Sequence, residues 1–268
     1  MIQVDRVAGR SRLVRSVSQD PLKLLSTRSG DSDCCSVVVS NYGGGFLQGD
    51  RAHLTVNCSD NARLYLGTQA LNKVYRCPGQ GAEQTIVGTV EEGARVASLP
   101  DPVMLFADSR FVQRQSWTVG PGAVLAIADG MLSGRSALGE SFAFDEYRSE
   151  TRVFREGRPI ATENTRCEPK RLRPAGIAAF GEGHLTFSLL VVGTADEACF
   201  EQTVEVLEQS AGEVHADGVA AVFTRPKKDV AVVRMIAVDL VTADEPMRRL
   251  NGCVAQSMLD FNPIARKA

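Results

Sequence analysis

The feature that most constrains the fold of this chain is a short pattern that recurs three times. Thr55-Val56 leads to Asn61-Ala62-Arg63-Leu64, Thr89-Val90 to Gly93-Ala94-Arg95-Val96, and Thr118-Val119 to Gly122-Ala123-Val124-Leu125. The alanines are 32 and 29 residues apart. Each copy reads as a strand, a tight polar turn and a second strand, with a small residue where the chain re-enters the sheet. A single copy cannot bury its own apolar face, whereas stacked copies bury a continuous seam. The pattern predicts a mainly β chain of stacked, solenoid-like sheets.

Turn residues punctuate short apolar runs through most of the chain. Strands are expected at Cys35–Ser40, His53–Asn57, Arg63–Gly67, Gln84–Val90, Arg95–Leu99, Arg110–Val119, Ala123–Ala128 and Leu185–Val192. Glu150–Arg155 and Arg158–Thr162, joined through Glu156-Gly157, read as a hairpin. Two segments of the C-terminal third are helical in pattern. Thr194–Glu197 resembles a capping box ahead of Glu197–Gln209, where Phe200, Val204 and Leu207 fall at helical spacing. Pro246 suits the first turn of a second helix carrying Met247, Leu250, Val254, Met258 and Phe261. The whole chain, 1–268, is expected to form one domain, β-rich over about 1–193 and helix-containing over about 194–268. Lys170–Pro174 is the best linker candidate within it.

With 44% apolar and 23% charged residues, the chain can build a core, which excludes disordered, collagenous and coiled-coil classes. A formal net charge of −2 argues against a nucleic-acid partner, since neutralising phosphates demands clear basicity. No run of 18 apolar residues exists, so no membrane-spanning helix is expected, and Met1–Arg15 does not read as a secretory signal. Seven cysteines without framework spacing read as reduced thiols in a cytoplasmic protein. The 24 arginines against six lysines fit either a protein-binding surface or a GC-rich coding bias.

Signatures of catalysis are mostly missing. Gly43–Asp50 is glycine-rich but lacks the Gly-Lys-Ser/Thr ending of a phosphate-binding loop. Gly134-Arg135-Ser136-Ala137-Leu138 lacks the final glycine of a nucleophile elbow. His53, His184 and His215 are isolated, and no Cys/His pair has zinc-ligand spacing. The residues alone leave open a β-helical binding or structural module, or a hydrolase using Ser136 or a carboxylate pair.

Four segments resemble the urease accessory protein UreD (UreH) family. They are Gly43-Gly44-Gly45-Phe46-Leu47-Gln48-Gly49-Asp50-Arg51; Thr68 followed by Lys73-Val74-Tyr75-Arg76; Leu99-Pro100-Asp101-Pro102 continuing into Leu105–Phe111; and Gly134-Arg135 followed by Gly139-Glu140-Ser141-Phe142. They occur in the family's order over about residues 36–170, while the C-terminal third matches loosely. Neither alternative above accounts for the Lys-Val-Tyr-Arg segment. The resemblance implies a largely β scaffold-chaperone that is not an enzyme. It would bind apo-urease and the accessory proteins UreF and UreG, and help deliver Ni²⁺ to urease.

No tightly bound cofactor is implied, only transient Ni²⁺. A moving Ni²⁺ needs weak, successive oxygen ligands, because a thiolate or imidazole cage would hold it. Asp50, Asp108 and Glu140 in the matched segments, with Glu163 after the hairpin, are the expected route carboxylates. Gly43, Gly44, Gly45, Gly49, Lys73, Tyr75, Arg76 and Arg135 are expected to position loops or hold partners.

Overall fold

The computed structural model describes residues 1–27, 32–172 and 180–263. The expected linker Lys170–Pro174 lies partly outside them. Mostly β, the chain winds as a β-solenoid of about three turns. Each turn runs through a long strand, a short corner strand and a second long strand. The first turn is Cys35–Asn41, Gly45–Phe46 and Arg51–Cys58; the second is Arg63–Thr68, Asn72–Val74 and Ala82–Val90; the third is Arg95–Leu99, Val103–Leu105 and Arg110–Val119. Val124–Leu132 and Glu146–Arg155 add a further rung. Equivalent strands of successive turns pair in parallel, producing two long sheets joined by the corner.

The repeated alanines explain the stacking. Arg95 is in register with Arg63 on one side and Val124 on the other, so Ala62, Ala94 and Ala123 stack, each 0% exposed. The residue before each alanine has positive φ: Asn61 at 57°, Gly93 at 65° and Gly122 at 63°. Asn and Gly tolerate that conformation, and a Cβ at Gly93 would meet Asn61 Oδ1 at 2.5 Å. One part of the pattern needs correction. Thr89-Val90 pairs with Asn57-Cys58, not with Thr55-Val56. Constant spacing from strand end to turn, rather than similar letters, sets the register.

Further strands extend both sheets beyond the solenoid turns at either end. The hairpin Ile2–Val7 with Arg10–Ser16 lies beside Arg51–Cys58, and Leu22–Thr27 beside Cys35–Asn41. At the other end, Arg158–Cys167 pairs with Glu146–Arg155 through the expected Glu156-Gly157 turn. Leu185–Val192, Val230–Ala237 and Val219–Lys227 extend the second sheet from Val124–Leu132. The helix-containing third therefore also supplies two strands.

Helices Ala198–Gly212 and Leu240–Leu259 pack on the outer face of that sheet, burying Phe200, Val204, Leu207, Leu250, Val254 and Met258. Val124–Leu132 is thus covered by the solenoid interior and by helices, which accounts for its nearly continuous apolar run. Both helix starts differ from expectation. Glu197 itself is the N-cap of the first, so Thr194 makes no side-chain cap. Asp239 caps the second by accepting from Thr242 N at 2.8 Å, which leaves Pro246 inside the helix.

Trp117, 0% exposed, lies over Gly88 in the neighbouring turn, where an added Cβ would overlap its ring. Gly88→Ala should therefore lower Tm by about 4 °C or more. Gly212→Ala, at a helix end with open space around it, should leave Tm unchanged or slightly raised. Thermal melts of the two variants check the interdigitation directly.

Candidate functional site

The four motif segments, far apart in sequence, occupy one place in the fold. Gly45-Phe46 pairs in parallel with Lys73-Val74, Asn72–Val74 with Val103–Leu105, and Val103-Met104 with Met131-Leu132. They form a ladder of short strands up the corner. Gly45 is required there: a Cβ would come within 2.5 Å of Lys73 O and 2.8 Å of the Tyr75 ring. Gly43, Gly44 and Gly49 hold φ of 75°, 77° and 81°, which shape the turn leading into and out of the rung.

Side chains tie the rungs together. Tyr75 N donates to Phe46 O at 2.9 Å, and its ring meets Phe106 edge-on at 5.2 Å. The Arg135 guanidinium lies 4.5 Å over the Phe106 ring and grips Glu140, donating from Nε at 3.0 Å. Glu140 Oε1 accepts from Ala107 N at 2.8 Å. Burial works against the Glu140 charge, but the Arg135 and Ala107 donors outweigh it and hold the carboxyl below its usual range. Arg76 Nε pairs with Asp108 Oδ2 at 3.1 Å across exposed surface, and Asp50 Oδ2 accepts from Leu47 N at 2.8 Å. Asp50, Asp108 and Glu140 are thus brought to the corner, each holding a loop.

Glu163 lies elsewhere, at the end of a polar stripe inside the solenoid. The inward residues of successive strands form rows, and two of these rows are polar. Gln84, Gln113 and Ser149 are in register in one row, Gln115, Thr151 and Glu163 in the next. Asp129 faces them from the second sheet. It accepts from Ser149 Oγ at 2.5 Å, Tyr147 OH at 3.1 Å, Gln113 Nε2 at 3.1 Å and Gly130 N at 2.8 Å. On one side Asp129 lines a cavity of ≈ 30 Å³ with Asn41, Gln84 and Gln113, room for about two waters. Gln84 Oε1 and both amide atoms of Asn41 are buried there without a protein partner. On the other side Asp129 lines a cavity of ≈ 230 Å³ with Tyr147, Glu163, Ser188 and Arg234.

Burial drives the Asp129 carboxyl above its ordinary range; hydrogen bonds from Ser149, Tyr147 and Gly130 oppose the shift, and the Glu163 charge adds to it. Tyr147 is also pushed well up, by burial and then by the Asp129 charge. Sequence reasoning passed over Asp129. The signal was there, a lone carboxylate within the apolar run Val124-Leu125-Ala126-Ile127-Ala128-Asp129. Cysteines contribute little to any site: burial pushes the Cys34 thiol up to about 12 and Cys35 to about 11, so neither is a ready thiolate. Among the described residues, no three His, Cys, Asp or Glu side chains gather as a metal cluster, and no helix is long and apolar enough to cross a membrane.

Fold and site together define a β-solenoid protein with a motif-bearing corner and an interior polar stripe ending on two carboxylates. The model of the UreD urease accessory protein family matches residues 1–267, and the chain belongs to that family. It is 32% identical over 99% of its length to a urease accessory protein UreD of Anaeromyxobacter sp. (strain Fw109-5), covering 88% of that protein. To the UreD of Sorangium cellulosum it is 39% identical over 61% of the chain and 52% of the relative. To that of Cytophaga hutchinsonii it is 31% identical over 72% and 67%. The family is one of accessory proteins rather than enzymes.

Because Asp129 titrates higher folded than unfolded, its cost to the fold is absent below 3.8, the ordinary carboxyl value, and present in full above the raised one. Asp129→Asn removes that cost at neutral pH while keeping shape. Its Tm should exceed wild type by about 2 °C or more at pH 7.5, and the gap should close as pH falls toward 3.8. Melts across pH read this directly.

Proposed function

We propose that this protein is a scaffold-chaperone of urease maturation, acting in the cytoplasm. It binds apo-urease with UreF and UreG, and hands Ni²⁺ toward the urease active site. The observation that carries this reading is Asp129, a half-buried carboxyl set among hydroxyl and amide groups and flanked by two cavities. A structural core would gain stability by replacing that carboxyl. Retaining it makes sense for a cation that must be held weakly by oxygen and released.

In this reading Asp129 and Glu163 supply charge along an interior route, while Tyr147, Ser149 and Gln113 orient the Asp129 oxygens. Asp50, Asp108 and Glu140 serve an approach along the corner. Lys73, Tyr75, Arg76 and Arg135 set the corner loops against a partner. Exposed Tyr42, Leu47 and Leu138 stand beside them and supply the apolar part of that contact.

Deleting the gene in its host, with nickel supplied, should abolish urease activity and the nickel content of purified urease, and the wild-type gene should restore both. Asp129→Asn should restore assembly with urease subunits, seen by copurification, but return severalfold less nickel. Asp50→Ala with Glu140→Ala tests the corner approach by the same two readouts. Full activity and normal nickel in the deletion strain would remove the maturation role and leave a β-solenoid binding module.

A further inference from the structure

The outer carboxylate of the interior stripe is not free. Glu163 stands on Arg158–Cys167 opposite Thr151, with its side chain 18% exposed. Its Oε2 accepts from Ser188 Oγ at 2.5 Å, and its Oε1 is paired with the Arg234 guanidinium. Arg234 belongs to the other sheet, in register with Ser188, and its side chain is 64% exposed. An arginine from one sheet thus reaches over the mouth of the ≈ 230 Å³ cavity to neutralise a carboxylate of the other.

We propose that Arg234 is a displaceable latch on Glu163 that sets how tightly this cavity takes up a divalent cation. The proposal rests on the cation-handling reading above. Several features of the pair suit a latch. Glu163 and Asp129 are the two carboxylates lining the cavity, and Ser188 and Tyr147 add neutral oxygens. A dication entering beside Arg234 meets a like charge and an occupied carboxylate, so it must displace the guanidinium to gain Glu163.

Displacement is cheap here, because the guanidinium is mostly in water and an exposed ion pair is weak. A second cross-sheet arginine shows the contrast. Arg155 is largely covered, pairing with Asp229 at 3.0 Å and donating to Gly193 O at 2.6 Å. Arg155 fastens the sheets, whereas Arg234 holds a carboxylate that can be given up.

The test is calorimetric titration of Ni²⁺ into the purified full-length protein and its variants, each checked for folding by circular dichroism and Tm. Arg234→Gln should bind Ni²⁺ about two- to fivefold more tightly than wild type, the size of one lost competing ion pair. Arg234→Met carries the same expectation if Arg234→Gln folds poorly. Arg234→Lys, which keeps the charge, should stay close to wild type. Glu163→Gln should bind more weakly, and adding Arg234→Gln to it should bring no gain. If Glu163→Gln weakens binding but freeing Arg234 changes nothing, the latch is wrong and the cation reading stands. If no variant binds Ni²⁺, the cation reading falls and the latch with it.

Discussion

Parallel, in-register stacking of successive turns is the constraint on which this molecule depends, because side chains on a strand alternate between the two faces. A slip of one residue between Ala82–Val90 and Arg110–Val119 would turn Gln113 outward and break its bonds to Asp129 and Ser149. The same slip would lift Trp117 off Gly88. The stacked alanines and the positive-φ turn residues before them prevent this, since each admits one geometry and the next turn copies it. Register at one end of a strand therefore secures a polar row near its other end and the corner beyond.

That rigidity explains how a solenoid can keep a carboxyl group in its core. Burying Asp129 opposes folding, and its hydrogen bonds offset the cost only in part, as the upward shift of its titration shows. A flexible core would relax around the group or let it escape to solvent. Here its donors come from three separate strands, Gln113 on one, Tyr147 and Ser149 on another and Gly130 on its own, and each strand is fixed by its neighbours. The polar rows and the apolar rows beside them also divide the tasks: Val56, Trp117 and Val153 supply packing one row away from where Gln115, Thr151 and Glu163 supply polarity.

How much of this was legible in the sequence depended on the length scale of each signal. Strands with strong periodicity were readable to the residue, as at Arg95–Leu99, Arg110–Val119 and Leu185–Val192. The alanine spacing revealed the stacking because small-residue turns recur once per coil. The Thr55-Val56 match misled, since similar letters sat two residues off the true register. Corner strands of two or three residues are too short to leave any periodicity, so only the resemblance of the motifs singled them out. Asp129 was hidden for the opposite reason: its strand is covered on both faces, so the apolar run around it looked like plain core. The first helix starts one residue later than expected, after Glu197, and the second starts earlier because Asp239 caps it through Thr242 N, a local signal that Pro246 overshadowed.

The corner and the interior are two products of one winding. Each turn passes once through the corner, so motif segments separated by about one coil length become neighbours on a single ladder. Each turn also adds one residue to each inward row; the rows start apolar at Ala52 and Leu54 and become polar from Gln84 and Gln115 onward, which builds the stripe along the solenoid axis without new topology. Glu140 and Glu163 show the two outcomes for a carboxylate in such a fold. At the corner, Glu140 is held by a backbone N–H and an arginine that itself stacks on Phe106, so its charge also fixes the loop and is given up less readily. At the end of the stripe, Glu163 is held by a hydroxyl and by a solvent-exposed arginine, so its charge can be exchanged. Residue type and overall burial are alike for the two. What separates them is how firmly the surroundings hold the partner cation, and that property is set by where each residue falls in the winding.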